Sequence, residues 1–432
     1  KQLNDRSKMY YTPNKENNVF QLVVQYGAGE REFPKLGYAA QLMNNAGIMG
    51  AYEPQELKEE LSKLNATCHV TADDDNLYII MEGYEATLPQ ACQLLSRQIL
   101  MPKLDEKQLA RLKGSAMGMR QQRKDNVSIL NEALRQYMLY GEKSDYIKEL
   151  TDKEIYELQI SELTGDINRA SNYEAKVFFT GTLPFDQVYD ILSKNLPLVA
   201  NERPSNSPQA KDMMPVTENT VYFLPNNDAE QAQIHLYIPM QKADKKDDVL
   251  RSAFNQYFGL DFTGIVLNEI REKRSMAYTA YAFVGTQGIA GKASYLRGYI
   301  GTQNDKANDA LDVLMGLVND MPKNPERIDN IKSYLRQAML TSHPSFRNKA
   351  MELVDLGYRG YTDDPAKENL PKVDALTFDD IVKFYEENIK DKPYCISIMG
   401  NPKNIDLKRL EKFGKVVKLN ERKLFNTKDA LF

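Results

Sequence analysis

Arg271 and Tyr278 are the side chains whose types and spacing point most directly to chemistry. They lie in Leu267-Asn-Glu-Ile-Arg-Glu-Lys-Arg-Ser-Met-Ala-Tyr-Thr-Ala-Tyr281. A guanidinium presents several donors in a rigid fork, and a phenol adds one O–H donor. Periodicity alone reads the segment as an amphipathic helix ending in basic residues, which suit the helix dipole, followed by an ordinary strand. On that reading Arg271 falls in the last helical turn and Tyr278 opens the strand. One loop could then aim both at a common point.

Other motifs carry less. Gly285-Thr-Gln-Gly-Ile-Ala-Gly-Lys292 departs from a phosphate-binding loop at Thr286 and Ala293 and lies between two strands, so it reads as a hairpin loop. Gly27-Ala-Gly29 lacks the third glycine of a dinucleotide fingerprint, because Glu32 stands there. Asp73-Asp74-Asp75 has no glycine and glutamate at calcium-loop spacing and reads as a solvated hairpin tip. The three histidines, His69, His235 and His343, are scattered. His69 and Cys68 are strand neighbours facing opposite ways, so they cannot chelate one ion together. A histidine-rich metal site within this chain is not expected. Cys68, Cys92 and Cys395 form neither a disulfide framework nor a zinc knuckle, and they leave the redox compartment open.

The elements that must position these residues come twice. Alternation marks a strand at 20–26, then helical patterning at 35–46 and 55–64, strands at 66–72 and 76–82, and a helix at 88–100. Leu109, Leu112, Ala116 and Met119 mark one face of a longer helix, and Thr151 with Glu154 forms a capping box. Strand 177–181 and helix 185–194 follow. Pro197, Pro204, Pro208 and Pro215 mark 196–216 as a linker. The order then restarts: strand 233–238, helices 247–258 and 262–273, strands 278–284 and 294–300, helix 304–318. A helical region at 325–391, broken at Pro344 and Pro365, leads to strand 395–400 and helix 405–412. Gly400 mirrors Gly181 about half a chain later. The expected class is α+β, with two homologous domains, 1–195 and 217–432, each an antiparallel-rich β-sheet backed by helices.

Composition excludes several classes. With 432 residues, 42% hydrophobic and 27% charged, the chain reads as a soluble globular protein of more than one domain. No apolar run approaches the roughly 18 residues of a membrane span. The 56 basic and 60 acidic residues are interspersed, which argues against nucleic acid or an anionic membrane surface as partner. The chain starts at Lys1 without an initiator Met or a signal peptide, and is expected to be a mature product or a piece of something longer.

The Arg271–Tyr278 segment resembles the arginine–tyrosine motif of the pitrilysin/insulinase-type zinc metallopeptidases, the inverzincins. That family carries LRxxxxLAY-like text, with the tyrosine seven residues after the arginine, as here. Val221-Tyr-Phe-Leu224 and Gln231-Ala-Gln-Ile234 match the family's entry into the same domain, and the duplicated unit resembles its processing-peptidase-like repeat. The likeness covers essentially the whole chain. Such peptidases have two halves. One carries HxxEH and a distant glutamate, which bind zinc and activate water; the other is zinc-free and supplies the arginine and tyrosine.

The sequence departs from the family in its first domain. Where GLAHFLEHM is expected stands Gly37-Tyr-Ala-Ala-Gln-Leu-Met-Asn-Asn45, with Ala40 and Asn44 for the histidines and Met43 for the glutamate. The stretch 107–131 holds no glutamate to serve as the distant ligand. These side chains neither bind zinc nor move a proton at neutral pH. The resemblance therefore implies the substrate-binding, zinc-free half of a zinc metalloendopeptidase, inactive alone. It closes a chamber with a zinc-bearing HxxEH half, in the same polypeptide or a separate subunit. No cofactor is expected in this chain and zinc is expected in the partner half. Tyr278 would donate to the scissile carbonyl as it becomes an oxyanion, and Arg271 would hold a neighbouring substrate carbonyl. The alternatives are a non-catalytic scaffold subunit of the same family and a stand-alone peptide-binding module. Retention of Arg271 with Tyr278 favours the first reading. Large bacterial relatives point to the cell envelope and periplasm.

Overall fold

The computed structural model describes residues 1–123, 126–200, 202–260 and 262–428. Its strands are β1 Lys8–Pro13, β2 Val19–Tyr26, β3 Gly47–Ile48, β4 Ala66–Ala72, β5 Leu77–Tyr84, β6 Pro102–Lys103, β7 Ala175–Gly181, β8 Thr220–Pro225, β9 Gln231–Lys242, β10 Ala277–Thr286, β11 Ala293–Gln303, β12 Cys395–Gly400 and β13 Lys415–Lys418. Five form one sheet in the order β1-β7-β2-β5-β4, and six form another in the order β10-β11-β9-β12-β8-β13. Read from its other edge, the second sheet repeats the first, with β8, β12, β9, β11 and β10 in the places of β1, β7, β2, β5 and β4. The pairing senses agree as well. β1–β7 and β8–β12 are parallel, and the other equivalent pairs are antiparallel. The α+β class and the antiparallel-rich sheets stand as expected.

Each sheet buries one face under helices of its own repeat. Phe20, Leu22, Val24 and Tyr26 pack on one side of β2, and Ile234, Leu236 and Ile238 do so on β9. The opposite faces are covered crosswise. Helix Val127–Tyr140 places Leu130, Ala133 and Leu134 against Leu224 of β8 and Met399 of β12. Helix Lys349–Tyr358 places Ala350, Met351 and Val354 against Val23, Ile80 and Phe178 of the first sheet. Under the first of these helices, His235 is buried, its Nε2 3.0 Å from Asn131 Oδ1. Burial, then the Arg297 and Arg135 charges, push its pKa down to about 3, so the ring is neutral. It is a core histidine with Nε2 hydrogen-bonded and Nδ1 buried without a partner.

One helical reading needs correction. The stretch 262–273 is not one amphipathic helix: a short α turn, Ile265–Leu267, passes into a π turn, Asn268–Glu272. The helical region is interrupted between Tyr358 and Pro365 as expected, and Pro365 itself opens the next helix. It stands in the first turn of Pro365–Ala375, where its missing N–H costs nothing, and Asp364 caps Ala366 N–H at 2.9 Å. The Thr151–Glu154 capping box forms as read. So does the hairpin at 285–292, between β10 and β11.

Among the described residues no helix or strand lies between Asn195 and Thr220, yet this tether is pinned along its length. Buried Glu202 accepts from the Arg6 and Ser7 amides, both at 2.8 Å. Arg31 donates to Gln209 O at 3.0 Å, and Gln209 N–H donates to Asp75 at 3.2 Å. Lys143 pairs with Asp212 at 2.7 Å, and Lys211 pairs with Asp145. Arg31 also reaches Asp74 at 3.1 Å, so Asp73–Asp75 is a fastening point rather than a solvated tip. Glu30 lines a cleft with Arg31, Asp74, Asp145 and Lys211, and burial, then Asp74, Asp73 and Asp145, raise its carboxyl to about 7. Its folded pKa lies above the unfolded value of 4.5. The native state is therefore favoured below pH 4.5, and that advantage disappears as pH rises through 7. Glu30→Gln should melt about 1–3 °C above the parent at pH 8, the shift that about 1–3 kcal/mol gives over a chain of this length, and match it near pH 4. Thermal melts at the two pH values check this; a gain of equal size at both would assign the effect to packing instead.

Candidate functional site

The π turn determines where Arg271 points. Lys273 N–H donates to Asn268 O at 2.9 Å, the i to i−5 bond that widens the helix by one residue. The chain then reverses through Ser275, whose φ of 49° is in the left-handed region that a non-glycine residue rarely enters. Ser275 and Met276 amides return to Arg271 O and Ile270 O, at 2.8 and 2.9 Å. Glu269 braces the outside of the turn: Lys273 reaches its carboxylate at 2.6 Å, and Arg274 donates to its backbone oxygen at 2.7 Å. The hydrogen bonds from Lys273 and Arg274 hold the Glu269 carboxyl below its usual range. Ile265, Val266, Leu267 and Ile270 anchor the inner side in the second core.

Tyr278 is delivered by a second irregularity. The β10–β11 register shifts between Ala277 and Thr279, leaving Tyr278 without a partner on β11. A bulge of this kind re-aims a side chain. Tyr278 stands 78% exposed, an unusual state for a large aromatic residue at the head of a strand. The Arg271 guanidinium lies over its ring, 5.3 Å from the centroid, and Arg271 Nε is 3.4 Å from Glu272. The two residues singled out in the sequence are thus brought together at the open edge of the second sheet. Asn268, Glu269 and Lys273 of the same turn line a cleft of about 730 Å³, with exposed Phe262 and Tyr334 on its wall.

The degenerate positions lie on the first helix after β2, in the other repeat, and are not free. Ala40 and Met43 lie on the buried side of helix Leu36–Met43. Asn44 ends that helix, and its amide is engaged at both atoms: Nδ2 donates to Val70 O at 2.9 Å, and Oδ1 accepts from Val70 N–H at 2.7 Å. A methyl group, a thioether in the core and a spent amide do not fit zinc. Among the described residues no group of three or more His, Cys, Asp or Glu is placed to hold a metal ion. Burial pushes the Cys68 thiol, beside this helix, up to about 12, and the Cys92 thiol likewise. Sequence reasoning missed the π turn, Glu269 and the Asn44 clasp. The first two leave helix-like periodicity unchanged, and the third depends on a strand 26 residues further on.

Residues 171–335 match the family model described as the peptidase M16 inactive domain. No curated protein matches the chain. Among solved structures, a peptidase M16 inactive domain from Pseudomonas fluorescens is 16% identical, with a TM-score of 0.71, over 93% of this chain and 97% of that one. The periplasmic protease PqqL from Escherichia coli is 13% identical, TM-score 0.70, over 91% of this chain. A mutant of the ferredoxin protease FusC, solved in complex with Arabidopsis ferredoxin, is 13% identical, TM-score 0.72, also over 91%. This chain spans 44% of the length of each of those two proteases. Among the described residues no helix is long and apolar enough to cross a membrane. The repeated fold and the match over residues 171–335 bear out the resemblance to the pitrilysin/insulinase-type peptidases, on the side of that family's inactive domain.

Proposed function

We propose that this chain is the zinc-free, peptide-binding half of a metalloendopeptidase and closes a chamber with a zinc-bearing HxxEH half. The observation that carries the reading is the joint presentation of Arg271 and Tyr278: an exposed phenol with a half-buried guanidinium against its ring, both held by backbone irregularities at one sheet edge. A scaffold has no use for a strained turn that displays an arginine and a phenol to solvent. The Arg271 fork suits a peptide carbonyl, and the Tyr278 hydroxyl suits an oxygen that gains charge. The cleft beside Phe262 and Tyr334 offers an apolar wall for a substrate side chain. Zinc is assigned to the other half, where it would supply the attacking hydroxide. The fold of PqqL supports a periplasmic setting.

The isolated chain should bind an unstructured peptide, and Arg271→Ala should weaken that binding about tenfold, the loss expected for a charge-assisted hydrogen bond. Fluorescence anisotropy with a labelled peptide measures this, and Arg271→Lys should recover only part of the loss, because it keeps the charge without the fork. Binding unchanged in Arg271→Ala would favour the scaffold subunit.

A further inference from the structure

The clasp made by Asn44 has a twin. In the first sheet β4 is an edge strand, and Asn44, just after helix Leu36–Met43, takes both outward backbone groups of Val70. In the second sheet β10 is the corresponding edge. There Asn255, in helix Asp248–Phe258, donates from Nδ2 to Val284 O at 3.0 Å and accepts Val284 N–H at 2.6 Å through Oδ1. Both helices follow the equivalent strand, β2 or β9. An asparagine amide sets an NH2 donor group beside a carbonyl acceptor at about the spacing of a peptide group, so it can stand in for a residue of a neighbouring strand. An exposed edge otherwise presents a row of unpaired N–H and C=O groups that other chains can join.

The clasp on β10 has a second member. Ala282 N–H, of the same outward parity as Val284, donates to Gly259 O at 3.1 Å. Glycine is required at 259, because a Cβ there would fall 2.9 Å from Val266 and 3.1 Å from Ala282 N. The closed positions are thus Ala282 and Val284. By the two-residue alternation of a strand, Ala280 is the next outward residue towards the other end of β10, where the bulge at Tyr278 interrupts the pairing. On β4, Val70 sits within a seven-residue strand, so no added strand can run its length.

We propose that Asn44 and Asn255 are edge locks, each completing the pairing of an outermost strand so that an extended peptide cannot run along it, and that peptide is taken instead at the Tyr278 end of β10. The second clause rests on the peptide-binding reading above; the locks do not. At Asn44, a position where the resemblance places a metal-binding histidine has become a backbone partner that closes the edge.

Amide hydrogen exchange on the full chain tests both clauses. In Asn44→Ala, Val70 should exchange about tenfold faster or more while Val284 is unchanged. In Asn255→Ala the two should reverse, since each variant removes a donor and an acceptor from one site only. Asn44→Asp and Asn255→Asp keep an acceptor of the same shape for the strand N–H and give folded comparisons if the alanine variants melt early. Unchanged protection, or acceleration of both amides in either variant, would overturn the locks. A peptide of about ten alternating Val and Thr residues is then added as the probe strand. It should protect amides around Tyr278 in the parent, and protection should spread to Val284 only in Asn255→Ala. Protection that crosses Val70, or slows Val284 further, in the parent would overturn the confinement. No protection in any variant, with the locks behaving as stated, would sink the peptide-binding reading and leave the locks standing.

Discussion

Mixed with a chain that carries HxxEH, this protein should give peptide cleavage that a chelator abolishes, whereas alone it should release no product. Water attacks an amide at neutral pH only with a metal or a positioned base to activate it. The positions that would provide these here hold Ala40, Met43 and Asn44, and the Asn44 amide is already committed to Val70. The expected difference is therefore all or nothing rather than graded. Closure by this half would orient the peptide and shield it from bulk water, so the HxxEH half alone should also be slow. Product formation is read by mass spectrometry of a fluorogenic peptide digest with each half alone, with both, and with both plus chelator. Robust cleavage by this chain alone would count against the assignment. An HxxEH half that is equally fast without it would support the scaffold alternative.

In the same assembled enzyme, Tyr278→Phe should lower kcat by about 10²–10³, the usual cost of removing one donor to a developing oxyanion. The substitution deletes a single oxygen from a side chain that is 78% exposed, so the melting temperature should barely move. KM should change little, because the donor matters most when charge has built up on the carbonyl oxygen. That split between kcat and KM separates a transition-state role from packing. The Arg271 contact with the ring survives in Tyr278→Phe, since a phenyl face also attracts a guanidinium. Full activity in this variant would assign Tyr278 to the edge of the sheet and nothing more.

How much of this was legible in the sequence follows from the range over which each signal acts. Strands such as Ala66–Ala72 and Leu77–Tyr84 show in local alternation, and their order in the two halves exposed the duplication. β1 and β13, short and at or near the rims, carry too little alternation to stand out. The Arg271–Tyr278 spacing was readable, but the geometry that makes it a site was not. A π turn hides behind helical periodicity, and the bulge at Tyr278 appears only once β11 is laid beside β10. At Asn44 the sequence showed the loss of a histidine and gave no sign of the clasp that replaced it. Helix Val127–Tyr140 left no mark in the sequence reading, and nothing there disclosed that it packs on the sheet of the other repeat.

That crosswise cover has a consequence for synthesis. The ribosome completes the first sheet at Gly181, but the helix that shields its outer face ends at Tyr358. At about 5–20 residues per second, Val23, Ile80 and Phe178 wait on the order of ten seconds or more for Ala350 and Val354 to arrive. Helix Val127–Tyr140 waits longer still, because Met399 of β12 is among the residues it packs against. A nascent chain arrested between these points presents bare apolar surface from an otherwise finished repeat. It is in that interval that a holding chaperone would find the chain.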